Sequence, residues 1–127
     1  MDKETEKRLN DIIKKISKIR SVSAIYLFGS QVNGRARGDS DIDIAVLTKG
    51  SKNEDDWNIT SIGDEKFEIH VFNKLPLLIQ FRVLSEGNLL FVRNKKHLHE
   101  TRFRVIKYYL DFSDFINKFY VRAIENA

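Results

Sequence analysis

Apolar positions in the first twenty residues fall at helical spacing. Leu9, Ile12, Ile13, Ile16 and Ile19 recur every three or four places, which predicts an amphipathic helix over 4–20 ended by Ser21. The pattern then changes. Val22–Phe28 is a near-continuous apolar run, the signature of a buried strand, and Gly29 closes it. Residues 30–37 read as a short helix or turn, with Gly34 and Gly38 keeping the region irregular. Asp41–Thr48 is a second strand, and 49–63 (KGSKNEDDWNITSIG) is polar with two glycines and reads as a loop whose Trp57 packs back on the core. Lys66–Phe72 alternates as a third strand. Asn73 is placed to cap a helix over 74–85 with Pro76 in its first turn, and Gly87 to end it. Leu89–Val92 is a short extended piece, and 95–125 a long helix with room for a break.

Two of these elements carry the chemistry. Gly29 and Ser30 follow the first strand, and after ten further residues Asp41, Ile42 and Asp43 open the second. Side chains two apart in a strand share a face, with Cα atoms roughly 6.5–7 Å apart, so Asp41 and Asp43 project together. Carboxylates that close repel unless something positive lies between them. A hard divalent cation such as Mg²⁺ meets that need and keeps positions for water and phosphate oxygens. The Gly-Ser turn supplies the complementary half, because glycine lets backbone approach a ligand and a helix start points free N–H groups at an anion. An Asp-Ser-Asp-x-Asp run elsewhere can be a simple capping loop. Here Ile42, Ile44, Val46 and Leu47 make the segment strand-like, where aspartate costs β-propensity.

On the third strand Glu68, His70 and Phe72 share one face and Phe67, Ile69 and Val71 the other. Glu68 can join the aspartate pair as a ligand or base, or form a surface ion pair. His70 reads as a neighbour or packed residue, since Mg²⁺ prefers oxygen. Arg35 and Arg37, between Ser30 and Asp41, can meet phosphate oxygens or simply solvate. The basic run Arg93, Lys95, Lys96, His97, His99, Arg102 and Arg104 reads as a solvated helix face before a nucleic-acid patch, and direct nucleic-acid binding is not expected. His97 and His99, two apart, fall on different helix faces, which argues against a metal pair. Along the last helix Val105, Tyr109, Phe112, Ile116, Phe119 and Ala123 form an apolar seam, with further apolar residues such as Phe103, Leu110 and Phe115 around it. A helix apolar on more than one side has more to bury than one face of a small sheet offers, and either a deep core or a partner interface accounts for it.

Composition narrows the class. The chain has 127 residues, enough for a single domain spanning 1–127. There is no cysteine, so disulfides and thiolate metal sites are out. No apolar run approaches a membrane span and the N-terminus lacks a signal-peptide h-region, which makes a cytoplasmic location the expectation. A net charge of +4 suits an anionic ligand without constituting a basic tail.

The motif GSQVNGRARGDSDIDIAV resembles the nucleotidyltransferase superfamily that includes DNA polymerase beta, and in particular its minimal stand-alone MNT members. Their signature is Gly-Ser, a ten-residue spacer, Asp-x-Asp, and a third carboxylate on a later strand. Glu68 in KFEIHVF takes that third place, where many relatives carry Asp. The resemblance continues through NKLPLLIQFRVLSEGNLLFVRN to nearly full length. It implies an α+β fold, a mixed sheet flanked by helices with a long C-terminal helix. It implies Asp41, Asp43 and Glu68 as catalytic metal ligands for two Mg²⁺ ions, and Gly29 and Ser30 as holders of the β- and γ-phosphates of ATP. The implied reaction is transfer of AMP to a hydroxyl, most simply a tyrosine of a HEPN-domain ribonuclease toxin, which makes the chain an antitoxin. A non-catalytic antitoxin that works by binding alone, and a small-molecule nucleotidyltransferase, are the alternatives.

Overall fold

The computed structural model describes residues 1–29 and 41–126. Its elements run α1 (Lys3–Ser17), β1 (Val22–Phe28), β2 (Ile42–Thr48), α2 (Asn53–Ser61), β3 (Phe67–Val71), α3 (Leu77–Glu86), β4 (Asn88–Val92) and α4 (Lys95–Glu125). The four strands form one mixed sheet in the order β3-β2-β1-β4. β1 pairs antiparallel with β2 and β4, while β2 and β3 are parallel. This is the α+β architecture expected, down to the long C-terminal helix.

Alternation sorts the strands onto two cores. One face carries Ile25, Leu27, Ile42, Ile44, Val46, Phe67, Ile69 and Val71, covered by Leu9, Ile12 and Ile16 of α1 and Ile59 of α2. The other carries Ala24, Tyr26, Ala45, Leu47 and Phe72, covered by Val83 of α3 and by Leu98 and Val105 of α4. Both helical layers therefore clamp the β1–β2 centre, and the ends of β2 and β3 are free to carry polar side chains.

Several expectations change. Residues 49–63 are not all loop, because α2 lies within them. Its polar face hid it: Ile59 and Asp56 are its buried residues, and Thr60 and Ser61 return their hydroxyls to carbonyls at Asp56 and Asn58. Acidic Glu54, Asp55 and Asp56 in its first turn favour the helix dipole. Trp57 does not pack on the core; it is 70% exposed. The helix expected over 74–85 splits into a 3₁₀ turn, Phe72–Lys74, and α3, with Pro76 standing just before the first helical residue. Asn73 does not cap it but donates from Nδ2 to the Thr48 carbonyl at 3.3 Å. Gly87 does end α3, though not through left-handed backbone, since its φ is −74°. The reason is close approach: a Cβ there would lie 2.4 Å from the Val83 carbonyl oxygen and 3.1 Å from that of Leu27. The long final helix is unbroken.

The basic run is also not one solvated face. Arg93 donates from its guanidinium to the carbonyls of Ser17, Ile19 (2.9 Å) and Val22 (3.0 Å), closing the α1–β1 connection. His97 Nδ1 meets Ser23 Oγ at 2.7 Å, and Arg102 donates to the Tyr26 hydroxyl at 2.7 Å. Three of these seven residues thus fasten elements to β1. The separation of His97 and His99 stands: the first is half-buried and the second exposed.

Candidate functional site

At the end of β1 the chain turns through Gly29 with φ +84°, a conformation that side chains rarely tolerate. The turn also brings backbone against a carboxylate. A Cβ on Gly29 would sit 2.6 Å from Asp43 Oδ2. Antiparallel register sets Phe28 opposite Asp43, and parallel register sets Asp43 beside Glu68. Two carboxylates from non-adjacent stretches of sequence therefore meet at one end of the sheet because three strands pair in one register.

His70 joins them. Being two residues beyond Glu68, it lies on the same face of β3, and its Nε2 is 3.2 Å from Asp43 Oδ1 and 3.8 Å from Glu68 Oε1. One ligand atom from each of Asp43, Glu68 and His70 can be drawn from a space 4.8 Å across. The Phe28 ring meets the imidazole edge-on, with centroids 5.6 Å apart. The hydrogen bond to Asp43 holds the His70 pKa above the ordinary imidazole value; burial opposes this, and the negative charges of Glu68 and Asp43 reinforce it.

The donor set fits a hard divalent cation. Two carboxylates converge beside an imidazole nitrogen, and Gly29 leaves open the space a side chain would fill. Asp41 is exposed and stands one residue before β2, outside the Asp43–Glu68–His70 group. Ser30, Arg35 and Arg37, together with the short helix expected over 30–37, lie outside the described residues. His70 is the neighbour of the carboxylates that its place on the Glu68 face predicted.

A cleft of about 450 Å³ adjoins the group at the free edge of β3, lined among others by Asn53, Asp56 and Trp57 of α2, by His70, and by Lys74. Among the described residues no helix is long and apolar enough to cross a membrane.

The family model described as "Polymerase beta, Nucleotidyltransferase" matches residues 10–96. No curated protein matches the sequence. Solved structures are similar over nearly the whole chain. One is a toxin–antitoxin structure with AMP-PNP, 21% identical, covering 94% of this chain and 98% of that chain at a TM-score of 0.68. Another is the tri-AMPylated Shewanella oneidensis HEPN toxin in complex with MNT antitoxin, 21% identical with the same coverage of both chains and a TM-score of 0.67. The MntA–HepT toxin–antitoxin is similar to the same degree, with 21% identity and a TM-score of 0.67.

Proposed function

We propose, because the chain belongs to the polymerase beta nucleotidyltransferase family, that it transfers AMP from ATP to a hydroxyl of a HEPN-domain toxin and so acts as its antitoxin. The observation that carries this is the pairing of Asp43 with Glu68 across β2 and β3, directly beside the positive-φ turn at Gly29. The partner and the AMP come from the similar structures, whose chains are covered almost completely.

In the proposed reaction the hydroxyl oxygen attacks the α-phosphorus. A new P–O bond forms, the bond from that phosphorus to the bridging oxygen breaks, and pyrophosphate leaves. Mg²⁺, where bound, would supply neutralisation of the charge that develops in the transfer. Asp41, Asp43 and Glu68 would hold it, Asp41 from the residue preceding β2. Glu68, 61% exposed, is open to take the hydroxyl proton. Gly29 would lie against the β- and γ-phosphates, because backbone without a Cβ can approach them, and the Ser30 hydroxyl, by the family resemblance, would join it. Most of the catalysis is then positioning and electrostatics, the usual division in phosphoryl transfer.

The test is the purified chain with labelled ATP, Mg²⁺ and a HEPN-domain toxin encoded beside it. Label should move to the toxin, and Asp43→Asn should abolish transfer. Toxin silenced by the Asp43→Asn variant as fully as by the parent would establish inhibition by binding alone. Label on a small-molecule hydroxyl and never on the toxin would refute the antitoxin assignment.

A further inference from the structure

The carboxylate pair carries a nitrogen with it. His70 Nε2 lies 3.2 Å from Asp43 Oδ1 and 3.8 Å from Glu68 Oε1. Ligands bound to one divalent ion at about 2.0–2.2 Å are held roughly 3–3.5 Å from one another. The two separations therefore already come close to those of a coordination shell. Among the described residues, no other three side chains of ligand type converge in this way.

The strands fix the imidazole at this spot. Glu68 and His70 share one face of β3. Opposite His70 on β2 stands Ala45, whose methyl leaves the ring room to lean back toward Asp43. Phe28, opposite Asp43 on β1, closes on the imidazole edge-on with centroids 5.6 Å apart. Asp43 and His70 are each about three-quarters buried, so the ring has little freedom to turn away.

The third donor of this group is thus nitrogen and not a further carboxylate. Asp41 is exposed and stands outside the group. A set of oxygens alone suits Mg²⁺, whereas imidazole draws transition-metal ions. Mn²⁺ meets both demands, because it takes carboxylate, water and phosphate oxygens as Mg²⁺ does.

Resting on the nucleotidyl-transfer reading above for the purpose of the site, we propose that His70 is itself a metal ligand through Nε2. Together with Asp43 and Glu68 it turns the preference of the site from Mg²⁺ to Mn²⁺. Coordination uses the Nε2 lone pair, so a proton on that nitrogen moves to Nδ1 or to solvent as the ion enters. A hydrogen bond that only steadied Asp43 would serve either ion alike.

The probes are Mn²⁺ and Mg²⁺, each added alone to the full chain. By calorimetry Mn²⁺ should bind more tightly than Mg²⁺. His70→Asn should weaken Mn²⁺ binding by about 10–100-fold and leave Mg²⁺ within about twofold. His70→Asp, which restores an oxygen donor, should bring the two affinities together. Electron spin-echo spectra of Mn²⁺ on the parent chain should carry modulation from a directly bound imidazole nitrogen, altered by ¹⁵N-histidine labelling. The modulation should vanish in His70→Asn and persist in His97→Asn, whose ring is bonded to Ser23. Bound Mn²⁺ without nitrogen modulation would overturn the proposal, as would no Mn²⁺ binding at all. Equal weakening of both ions in His70→Asn would overturn it too and leave His70 as a support for Asp43. A chain that shows the nitrogen signal yet never transfers AMP keeps the ligand and loses the transferase reading. Transfer supported equally by both ions, with no nitrogen signal, keeps the reading and loses the ligand.

Discussion

Gly29→Ala tests the geometry on which the site depends, and Gly50 supplies its control. Both glycines have positive φ, +84° and +69°. An alanine in that region costs roughly 1–2 kcal/mol in the folded state, partly offset by about 0.4–1 kcal/mol from a less flexible unfolded chain. Among the described residues nothing but its chain neighbours comes within 4 Å of the position a Gly50 Cβ would take, so Gly50→Ala carries that backbone cost alone. At Gly29 the new methyl would lie 2.6 Å from Asp43 Oδ2, closer than real Cβ contacts allow. The carboxylate must rotate, and the 3.2 Å bond from His70 goes with it. A hydrogen bond to a charged group contributes about 1.5–3 kcal/mol, and partial exposure places this one at or below the low end. Gly29→Ala should therefore be less stable than Gly50→Ala by about 1–2 kcal/mol. The melting temperature should differ by roughly 3–6 °C per kcal/mol at this size. Urea titration of the three proteins measures the difference, and the His70 imidazole resonances should move only in Gly29→Ala. Two alanine variants of equal stability, with His70 unperturbed in both, would show that Gly29 does not press on Asp43.

Asp43→Asn should leave the fold intact and bring the His70 pKa down toward its ordinary value, since the hydrogen bond to Asp43 is the largest cause raising it; titration by NMR reads this directly. The linkage has a definite sign. His70, raised in the folded state, gives a stability contribution that is complete below the ordinary value of 6.5 and fades as pH climbs through the folded value, so the stability gap between parent and His70→Gln should narrow on that rise. His97 has the opposite sign, because burial, then Lys49 and Arg104, lower its pKa against the pull of Glu100. Its bond to Ser23 should favour folding fully above 6.5 and progressively less as pH falls below it, a trend that chemical denaturation of His97→Asn against the parent should isolate. Phe119→Ala, at a ring 62% exposed, should change stability by no more than about 0.5 kcal/mol; if α4 docks the partner, the same change should cost on the order of 2 kcal/mol or more in affinity by calorimetry.

The sheet was legible because its side-chain alternation is strict. Ile25 and Leu27 against Tyr26, and Phe67, Ile69 and Val71 against Glu68 and His70, each separate onto the face that period two assigns. The convergence of Asp43 and Glu68 could be anticipated for the same reason, since both lie on strand faces and register needs only to set them side by side. What escaped was of a different kind. α2 is held by one buried isoleucine, one buried carboxylate and its own hydroxyls, so it leaves no apolar stripe to read. Arg93 looks in sequence like any surface cation, and only the three-dimensional path of the α1–β1 connection brings its carbonyls within reach.

The long helix marks the boundary between what a single chain can and cannot explain. Its seam begins as ordinary core, with Leu98, Thr101 and Val105 buried and Tyr109 stacked on Phe81 at 3.8 Å. The same periodicity continues through Phe112 and Phe119, yet these rings are 56% and 62% exposed. Lys107, Asp111, Asp114, Lys118, Arg122 and Glu125 occupy the opposite side, and Asp114 and Lys118 already pair with each other at 3.1 Å. A helix needed only to cover the sheet would lose its apolar seam where the sheet ends. Here amphipathicity persists for several turns past the last core contact, in a stretch where isolated helices are marginal without a surface to pack on. Four rings of this stretch, Tyr108, Phe112, Phe115 and Phe119, are more than half exposed in the single chain. The alternative of a deep intradomain core is therefore removed for the C-terminal half of α4. An apolar seam that continues into exposed rings is the pattern a contact beyond this chain would bury, and the Phe119→Ala comparison of stability with affinity tests it.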